Sequence, residues 1–377
     1  MSEVFELADD LGPAKVIHVY EPSIGLRGIL VVDNVARGPS IGGLRMDPDV
    51  SLQECFRLAR AMTLKNAAAG LPHGGGKSVI FGKPGMAVSE KAKLIRCFAS
   101  VLRNVGDYIF GPDMGTNEEC MAWVRDEIGR AVGLPRAVGG IPLDEIGATG
   151  WGMYHATKIA LRYAQLRLAD SRLVIQGFGA VGKHTARFLC DAGAVLVGAA
   201  DSQGAIYNPH GLDVSALFNL KREGRSVCEY TDGEKLDRDS IVDMECDIWV
   251  PAARPDVIHE DNCGRLRTKL IIQGANIPIT HGAEKYLHEK GILCIPDFIA
   301  NAGGVICAAM EYRGESQSAA FSAIRDKVSE NTEQVLEAVE KEGLLPRNAA
   351  IRLAERRVRN AMSYRRWPLF SSAPNYL

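Results

Sequence analysis

A chain of 377 residues is longer than the roughly 250–300 over which a single hydrophobic core keeps growing, so two domains are expected. The apolar fraction of 46% and charged fraction of 24% are those of a globular protein, and a formal net charge of −2 gives no general attraction to nucleic acid or to an anionic membrane. Nine cysteines, scattered singly and without a CxxC pair, exclude a disulfide framework and a structural zinc site. They point instead to a reducing, cytoplasmic setting. The acidic start MSEVFELADDLG lacks the basic segment and apolar run of a secretory signal, and no stretch approaches 18 uninterrupted apolar residues. Neither a membrane, a nucleic acid nor a metal is expected as a partner.

In chain order, 15-KVIHVYEP-22 and 28-GILVVDNV-35 read as two short strands joined by a glycine-containing turn. The apolar spacing of Leu52, Phe56, Ala59, Met62 and Ala67 predicts a helix over 51–69, with Ser51 and Glu54 as a capping box and Gly70 at its end. Next comes 71-LPHGGGKSVI-80. Its Gly76-Lys77-Ser78 looks like the end of a phosphate loop, but the first glycine of that pattern should stand at 71, where the residue is Leu71. The order here is helix, glycine turn, then a strand at 78–81, the reverse of a phosphate loop. A helix over 88–106, a strand over 108–113 and a helix over 117–128 follow. The run 133-GLPRAVGGIPLDEIGATG-150 is the domain boundary candidate.

Beyond it strands and helices alternate. Strands are expected near 172–176, 247–253, 270–275 and 292–298, then helices from about Gly303 to Glu340 and over 348–362. The arginines of 352-RLAERRVRNAMSYRR-366 are interleaved with apolar residues and read as a solvated helix face.

Within this half, 177-GFGAVG-182 follows a strand and opens a helix. Gly177 allows the tight turn and Gly179 lets the backbone approach a pyrophosphate. Gly182 lets the helix sit close to the sheet. The helix N-terminus, beginning with Ala180 and Val181, offers amide hydrogens to the phosphates. Asp201, nineteen residues after Gly182, stands where an acid accepts hydrogen bonds from a ribose 2′-hydroxyl, which favours NAD over NADP.

Two lysines flank the earlier glycine segment, Lys65 and Lys77, amid the small apolar residues of 66-NAAAGLPHGGG-76. Such surroundings disfavour a lysine's charge, and a charged lysine can also hold a substrate carboxylate. Asp113, in 111-GPDMGT-116, is either a helix-capping residue or a carboxylate presented for proton transfer.

These segments, with 42-GGLRM-46, 62-MTLKNAAAGLPHGGGKSVI-80, 149-TGWG-152, 176-QGFGAVG-182, 273-QGAN-276 and 297-DFIANAGGV-305, resemble the glutamate/leucine/phenylalanine/valine dehydrogenase family, in family order over nearly the whole chain. The resemblance implies reversible oxidative deamination of an L-amino acid to a 2-oxo acid and ammonia with NAD. It assigns Lys77 as the catalytic lysine, Asp113 as the proton-transferring acid, and Lys65 with the backbone of Gly42 and Gly43 as the α-carboxylate anchor. Asn276 is placed at the cofactor ribose and substrate, and Thr149 at the nicotinamide carboxamide. A homo-oligomer and closure of a cleft over the substrate are also implied.

Family members that use glutamate carry a lysine immediately before the GG and a serine three residues after the valine of NAGGV. Here those positions hold Ile41 and Ala308. With Gly111 they suggest a pocket for a branched aliphatic or aromatic side chain. The alternatives are a glutamate dehydrogenase with an atypical distal-carboxylate contact, and a catalytically silent NAD-binding regulator. The expected architecture is a two-domain α/β protein. Residues 1–145 form an α/β substrate and oligomerisation domain and 146–300 a Rossmann domain. Helices over 301–377 pack back toward the cleft.

Overall fold

The computed structural model describes residues 3–365, so the end of the expected C-terminal helical segment, 366–377, lies outside the described residues. The chain divides into two compact units. One holds Met1–Pro142, Val305–Ala320 and the chain from Ile351; the other holds Leu143–Gly304 and Phe321–Ala350.

The first unit begins with a short helix, α1 (Glu3–Glu6), and is built on a five-stranded sheet. β1 (Lys15–Glu21) and β2 (Leu26–Asn34) form the expected antiparallel pair. They are followed by β3 (Ser40–Asp47), α2 (Leu52–Ala68), β4 (Gly74–Phe81), α3 (Val88–Val101), β5 (Tyr108–Pro112) and α4 (Glu118–Ile128). The strand order is β1-β2-β4-β3-β5, with β3 parallel to both β4 and β5. Strand alternation divides the apolar residues between two buried faces. Ile29, Val31 and Val79 pack with Cys55 and Ala59 of α2. Leu30, Val32, Leu44, Met46, Ile80, Tyr108 and Phe110 pack with Ile95 and Phe98 of α3 and Met121 and Val124 of α4.

Three sequence expectations change here. The glycines before Lys77 are not a turn: Gly74, Gly75, Gly76 and Lys77 all lie inside β4, and the turn is at Gly70, whose φ is 67°. A Cβ on Gly75 would come within 1.9 Å of the Thr63 amide nitrogen, and one on Gly74 within 1.8 Å of the Asn34 carbonyl oxygen. These glycines let a helix and a neighbouring strand press onto the backbone. The capping box is half made: Ser51 Oγ accepts from the Glu54 amide at 3.1 Å, while the Glu54 carboxylate pairs with Arg45. The C-terminal arginines are not simply solvated either, as Arg357 donates to the Ala67 and Ala68 carbonyls at the end of α2, where cations are favoured.

The second unit opens with α5 (Leu143–Ile146) and α6 (Ala148–Tyr163). Then come β6 (Arg172–Gln176), α7 (Ala180–Asp191), β7 (Val195–Ala200), β8 (Ala205–Tyr207), α8 (Val214–Arg222) and β9 (Glu234–Leu236). It continues with β10 (Ile248–Pro251), β11 (Leu270–Ile272), α9 (His281–Glu289), β12 (Leu293–Ile295) and α10 (Asp297–Ala300). Its seven strands lie in the order β12-β11-β10-β6-β7-β8-β9, parallel from β12 to β7 and antiparallel at β8 and β9. The connections run one way from β6 to β7 and the other way to β10, so the order reverses beside β6, as in a dinucleotide-binding fold. The remaining helices are α11 (Gly303–Tyr312), α12 (Gln317–Glu342) and α13 (Pro346–Ser363), which the two units share. No helix among the described residues is long and apolar enough to cross a membrane.

Candidate active site

In the first unit the pleat decides what meets what. Residues two apart share a face, so Ile41, Gly43 and Arg45 of β3 point the same way. Gly75 and Lys77 of β4 share that face with Val79, which packs against α2. Gly43 pairs with Gly111 of β5, adding that position to the group. Lys77 is therefore held by a strand in mid-sheet, with its side chain only 7% exposed.

The Lys77 ammonium pairs with Asp113 Oδ2, and Arg45 Nε donates to the same oxygen at 3.1 Å. Lys77 is thus paired within the sheet face. Burial would raise the Asp113 carboxyl, but the charge and hydrogen bond of Lys77 and the charge of Arg45 outweigh it and hold its pKa below the ordinary carboxylate value. Asp113 is placed by its loop: its amide donates to Thr116 Oγ1 at 3.0 Å, and Thr116 Oγ1 donates to the Leu44 carbonyl at 2.8 Å. A Cβ on Gly43 would stand 2.7 Å from Asp113 Cβ and 3.2 Å from Lys77 Nζ. Glycine at 43 therefore leaves room beside the Lys77–Asp113 pair. Behind the sheet, Tyr108 donates its hydroxyl to the Gly42 carbonyl at 2.9 Å, fixing the other glycine of that motif.

Lys65 lies in the last turn of α2, half-buried. Ile41 and Gly111 are buried on the Lys77 face, and Ala308 is buried on α11. Arg45 is the member the sequence reading passed over. It sits inside a quoted motif, two residues after Gly43, and the period-2 pattern from Ile41 is the signal that would have found it.

In the second unit the fingerprint folds as its spacing predicts. Gly177 has φ 93°, and a Cβ there would approach the Ala253 amide nitrogen within 2.6 Å. A Cβ on Gly182 would come within 2.0 Å of the Gly177 carbonyl oxygen, so α7 packs directly on the turn. Gly179 is different, because a Cβ there meets nothing within 4 Å. It faces a cavity of about 690 Å³ lined by Gly177, Gly179, Asp201, Ser202, Lys221 and Arg254 among others. The cavity lies at the carboxyl ends of β6, β7 and β10, where dinucleotides bind. Ala180 and Val181 begin α7 beside it.

At the same end, Asn301 Nδ2 donates to Asn276 Oδ1 at 3.1 Å and to the Gly274 carbonyl at 3.2 Å. Thr149 Oγ1 is 3.2 Å from where a Gly304 Cβ would be. The structure thus brings Asn276, Asn301, Thr149 and the glycines of NAGGV into linked contact. Asp201 is heavily engaged: its carboxylate accepts from Lys221, from the Ser226 hydroxyl and from two backbone amides.

One unit carries a dinucleotide-binding fold, as an oxidoreductase that moves a hydride requires, and the other a Lys77–Asp113 ion pair. Which oxidoreductase follows from the chain's relatives. Residues 13–130 match the Glu/Leu/Phe/Val dehydrogenase dimerisation domain and 139–366 the Glutamate/Leucine/Phenylalanine/Valine dehydrogenase domain, so the chain belongs to that family of amino-acid dehydrogenases. It is 36% identical over 358 residues to a glutamate dehydrogenase of Aeropyrum pernix, covering 89% of this chain and 85% of the relative. It is 37% identical over 305 residues to a glutamate dehydrogenase of Thermotoga maritima, covering 77% and 73%. Among solved structures, a hetero-hexameric glutamate dehydrogenase of Thermus thermophilus in a Leu-bound form superposes with a TM-score of 0.82 at 28% identity, over 96% of this chain and 91% of that one. An L-tryptophan dehydrogenase of Nostoc punctiforme shares the fold, with a TM-score of 0.76 at 24% identity over 95% and 99%. Family members depend on NAD(P), and NAD is the cofactor suited to this Rossmann unit.

Proposed function

We propose that this protein catalyses the NAD-dependent, reversible oxidative deamination of an apolar L-amino acid, branched aliphatic or aromatic, to its 2-oxo acid and ammonia. The observation that carries the choice of substrate is the face around Lys77. Ile41 and Gly111 are its side-chain positions beside Gly43, and Arg45, a cation on the same face, is already shared between Glu54 and Asp113. A substrate γ-carboxylate buried against that face would lack a partner, at a cost of several kcal/mol.

In this reading Lys65 and the backbone of Gly42 and Gly43 hold the α-carboxylate, and Asp113 takes the proton from the substrate amino group. Its ionised state, favoured by Lys77 and Arg45, suits an acceptor at neutral pH. Bound NAD would supply the acceptor for the hydride that leaves Cα. Lys77, held as an ammonium, would orient the water that attacks the imino carbon and stabilise the carbinolamine, and both protons of that water would pass to the nitrogen, which leaves as an ammonium ion. Gly177, Gly179, Ala180, Val181 and Gly182 would hold the cofactor pyrophosphate, with Asn276 and Thr149 toward its nicotinamide end. The match to a dimerisation domain and a hetero-hexameric relative support an oligomer, taken here as a homo-oligomer, and nine free cysteines support a cytoplasmic location.

A glutamate substrate is the second reading, because the relatives at 36% and 37% identity are glutamate dehydrogenases. Initial rates of NAD reduction with L-leucine, L-valine, L-phenylalanine, L-tryptophan and L-glutamate at alkaline pH separate the two. Turnover of an apolar amino acid well above that of glutamate is expected. Preference for glutamate would overturn the roles given to Ile41, Gly111 and Ala308. NADH binding without turnover of any amino acid would leave a silent regulator.

A further inference from the structure

In the segment that follows β11, Ile277 has a φ of 47°, a left-handed conformation that is strained for a β-branched residue. Its side chain is 57% exposed, so packing does little to hold it there. Hydrogen bonds do. The Ile277 amide donates to Asp297 Oδ2 at 2.9 Å, and its carbonyl accepts from the Asp256 amide at 3.0 Å.

Asp297 is itself aimed from a distant part of the chain. Arg347, in the first turn of α13, pairs with Asp297 Oδ1 at 2.9 Å. The same guanidinium donates to Glu284 Oε2 at 2.7 Å and to Gln273 Oε1 at 2.9 Å. Gln273 Nε2 in turn donates to Glu284 Oε1 at 2.7 Å. Glu284, Asp297 and Gln273 are all buried. One planar group therefore joins α9, the residue after β11 and the start of α10 around residues 273–277. That segment also presents Asn276, which is exposed and whose Oδ1 accepts from Asn301. The proposed chemistry uses none of Arg347, Asp297, Glu284 and Gln273.

We propose that Arg347 is a positioning residue: through Asp297 it keeps Ile277 in its strained turn, and so fixes where Asn276 meets cofactor and substrate. The inference deepens the dehydrogenase reading and rests on the place which that reading gives Asn276. Arginine is required because its nitrogens reach three acceptors in one plane, whereas an ammonium is a point donor on a flexible stem.

The test is made on the full-length protein and on Arg347→Lys, Ile277→Gly and the double variant. It measures amide exchange over residues 273–277, the melting temperature, NADH affinity, and kcat and KM for the amino acid turned over fastest. Arg347→Lys keeps a cation between the two buried carboxylates, so it should fold. It should speed exchange over 273–277 and lower kcat by about tenfold, within the loss that a misplacement near 1 Å brings. KM and NADH affinity should move by less than about threefold, since the fingerprint glycines lie on another turn. Glycine takes a positive φ without strain. The double variant should therefore return kcat to within about threefold of Ile277→Gly alone, while the melting temperature stays lowered. Native kcat in Arg347→Lys would overturn the proposal. So would a loss of kcat that Ile277→Gly does not recover, since that marks an arginine serving only the fold. If the native protein turned over no amino acid, the dehydrogenase reading would fail, and exchange over 273–277 unchanged by Arg347→Lys would still overturn the hold on the turn.

Discussion

The two units use glycine for opposite purposes. In the first, a Cβ on Gly42, Gly74 or Gly75 would lie within 2 Å of backbone belonging to a neighbouring element. Those glycines are consumed by the protein's own packing. In the second, Gly177 and Gly182 are consumed in the same way, but Gly179 faces open space on the cavity wall. Sequence shows only that a glycine is present. What a side chain there would meet shows whether the vacancy serves the fold or a ligand. Gly43 falls between the two cases, since the side-chain atoms it would strike belong to Asp113 and Lys77, the pair proposed to carry the chemistry.

The largest effect that follows is at Lys77. Lys77→Ala removes the proposed acid–base group and leaves Asp113 with Arg45 alone, and turnover should fall roughly 10²–10⁴-fold. NADH titration should be little changed, because the cofactor cavity belongs to the other unit. Turnover near the native rate would remove Lys77 from its role.

A smaller loss is expected at the glycines that face the chemistry. Gly43→Ala should cut kcat by roughly 10–100-fold by displacing Asp113 and Lys77, since a 1 Å misplacement can cost about 10²-fold. Gly179→Ala should instead weaken NADH binding while leaving the melting temperature nearly unchanged. Its backbone, at φ −87° and ψ −156°, suits any residue, and the new methyl meets no protein atom. If Gly179→Ala lowered the melting temperature as much as Gly75→Ala, the contrast between the two kinds of glycine would fail.

The fingerprint was legible because everything it needs is local: strand, turn, helix and acid lie within thirty residues. The triple glycine before Lys77 was misread as a turn because its reason is distant. Thr63 of α2 and Asn34 of β2 reach it only after a parallel crossover has formed. β8 and β9, three residues each, are too short to show alternation. The resemblance, not the residues alone, supplied the chemistry of Lys77 and Asp113. It did not show that Arg45 shares the carboxylate, which depends on the pairing of β3, β4 and β5. The acid at 201 was also legible, but not its four donors, three of which come from segments 20 or more residues on and the fourth from a turn of its own.

The least dramatic effect concerns acid stability, and it too divides the units. His73 in the first unit and His155 and His184 in the second are each pushed down to about 4, with burial as the chief cause. Arg313 adds to the effect at His73. Lys158 and Arg325 do so at His155, where Asp326 opposes, and Arg187 and Lys183 do so at His184. Each ring keeps a buried nitrogen without a hydrogen-bond partner, so protonation would bury an unpaired charge. In the unfolded chain these rings titrate near pH 6.5. Below that value the unfolded state binds more protons, so stability present above pH 6.5 drains away as pH falls toward about 4. Each histidine contributes a slope of at most about 1.4 kcal/mol per pH unit. The lowered pKa of the Asp113 carboxyl acts in the same direction but only below the ordinary carboxylate value, so it adds nothing to the decline in that window. Melting temperatures between pH 7.5 and 5 should therefore fall, and hydrogen exchange should rise sooner in the unit with two such histidines than around β4. Replacing His184 by Gln should flatten the decline, and an unchanged slope would mean that the ring is already solvated in the native state.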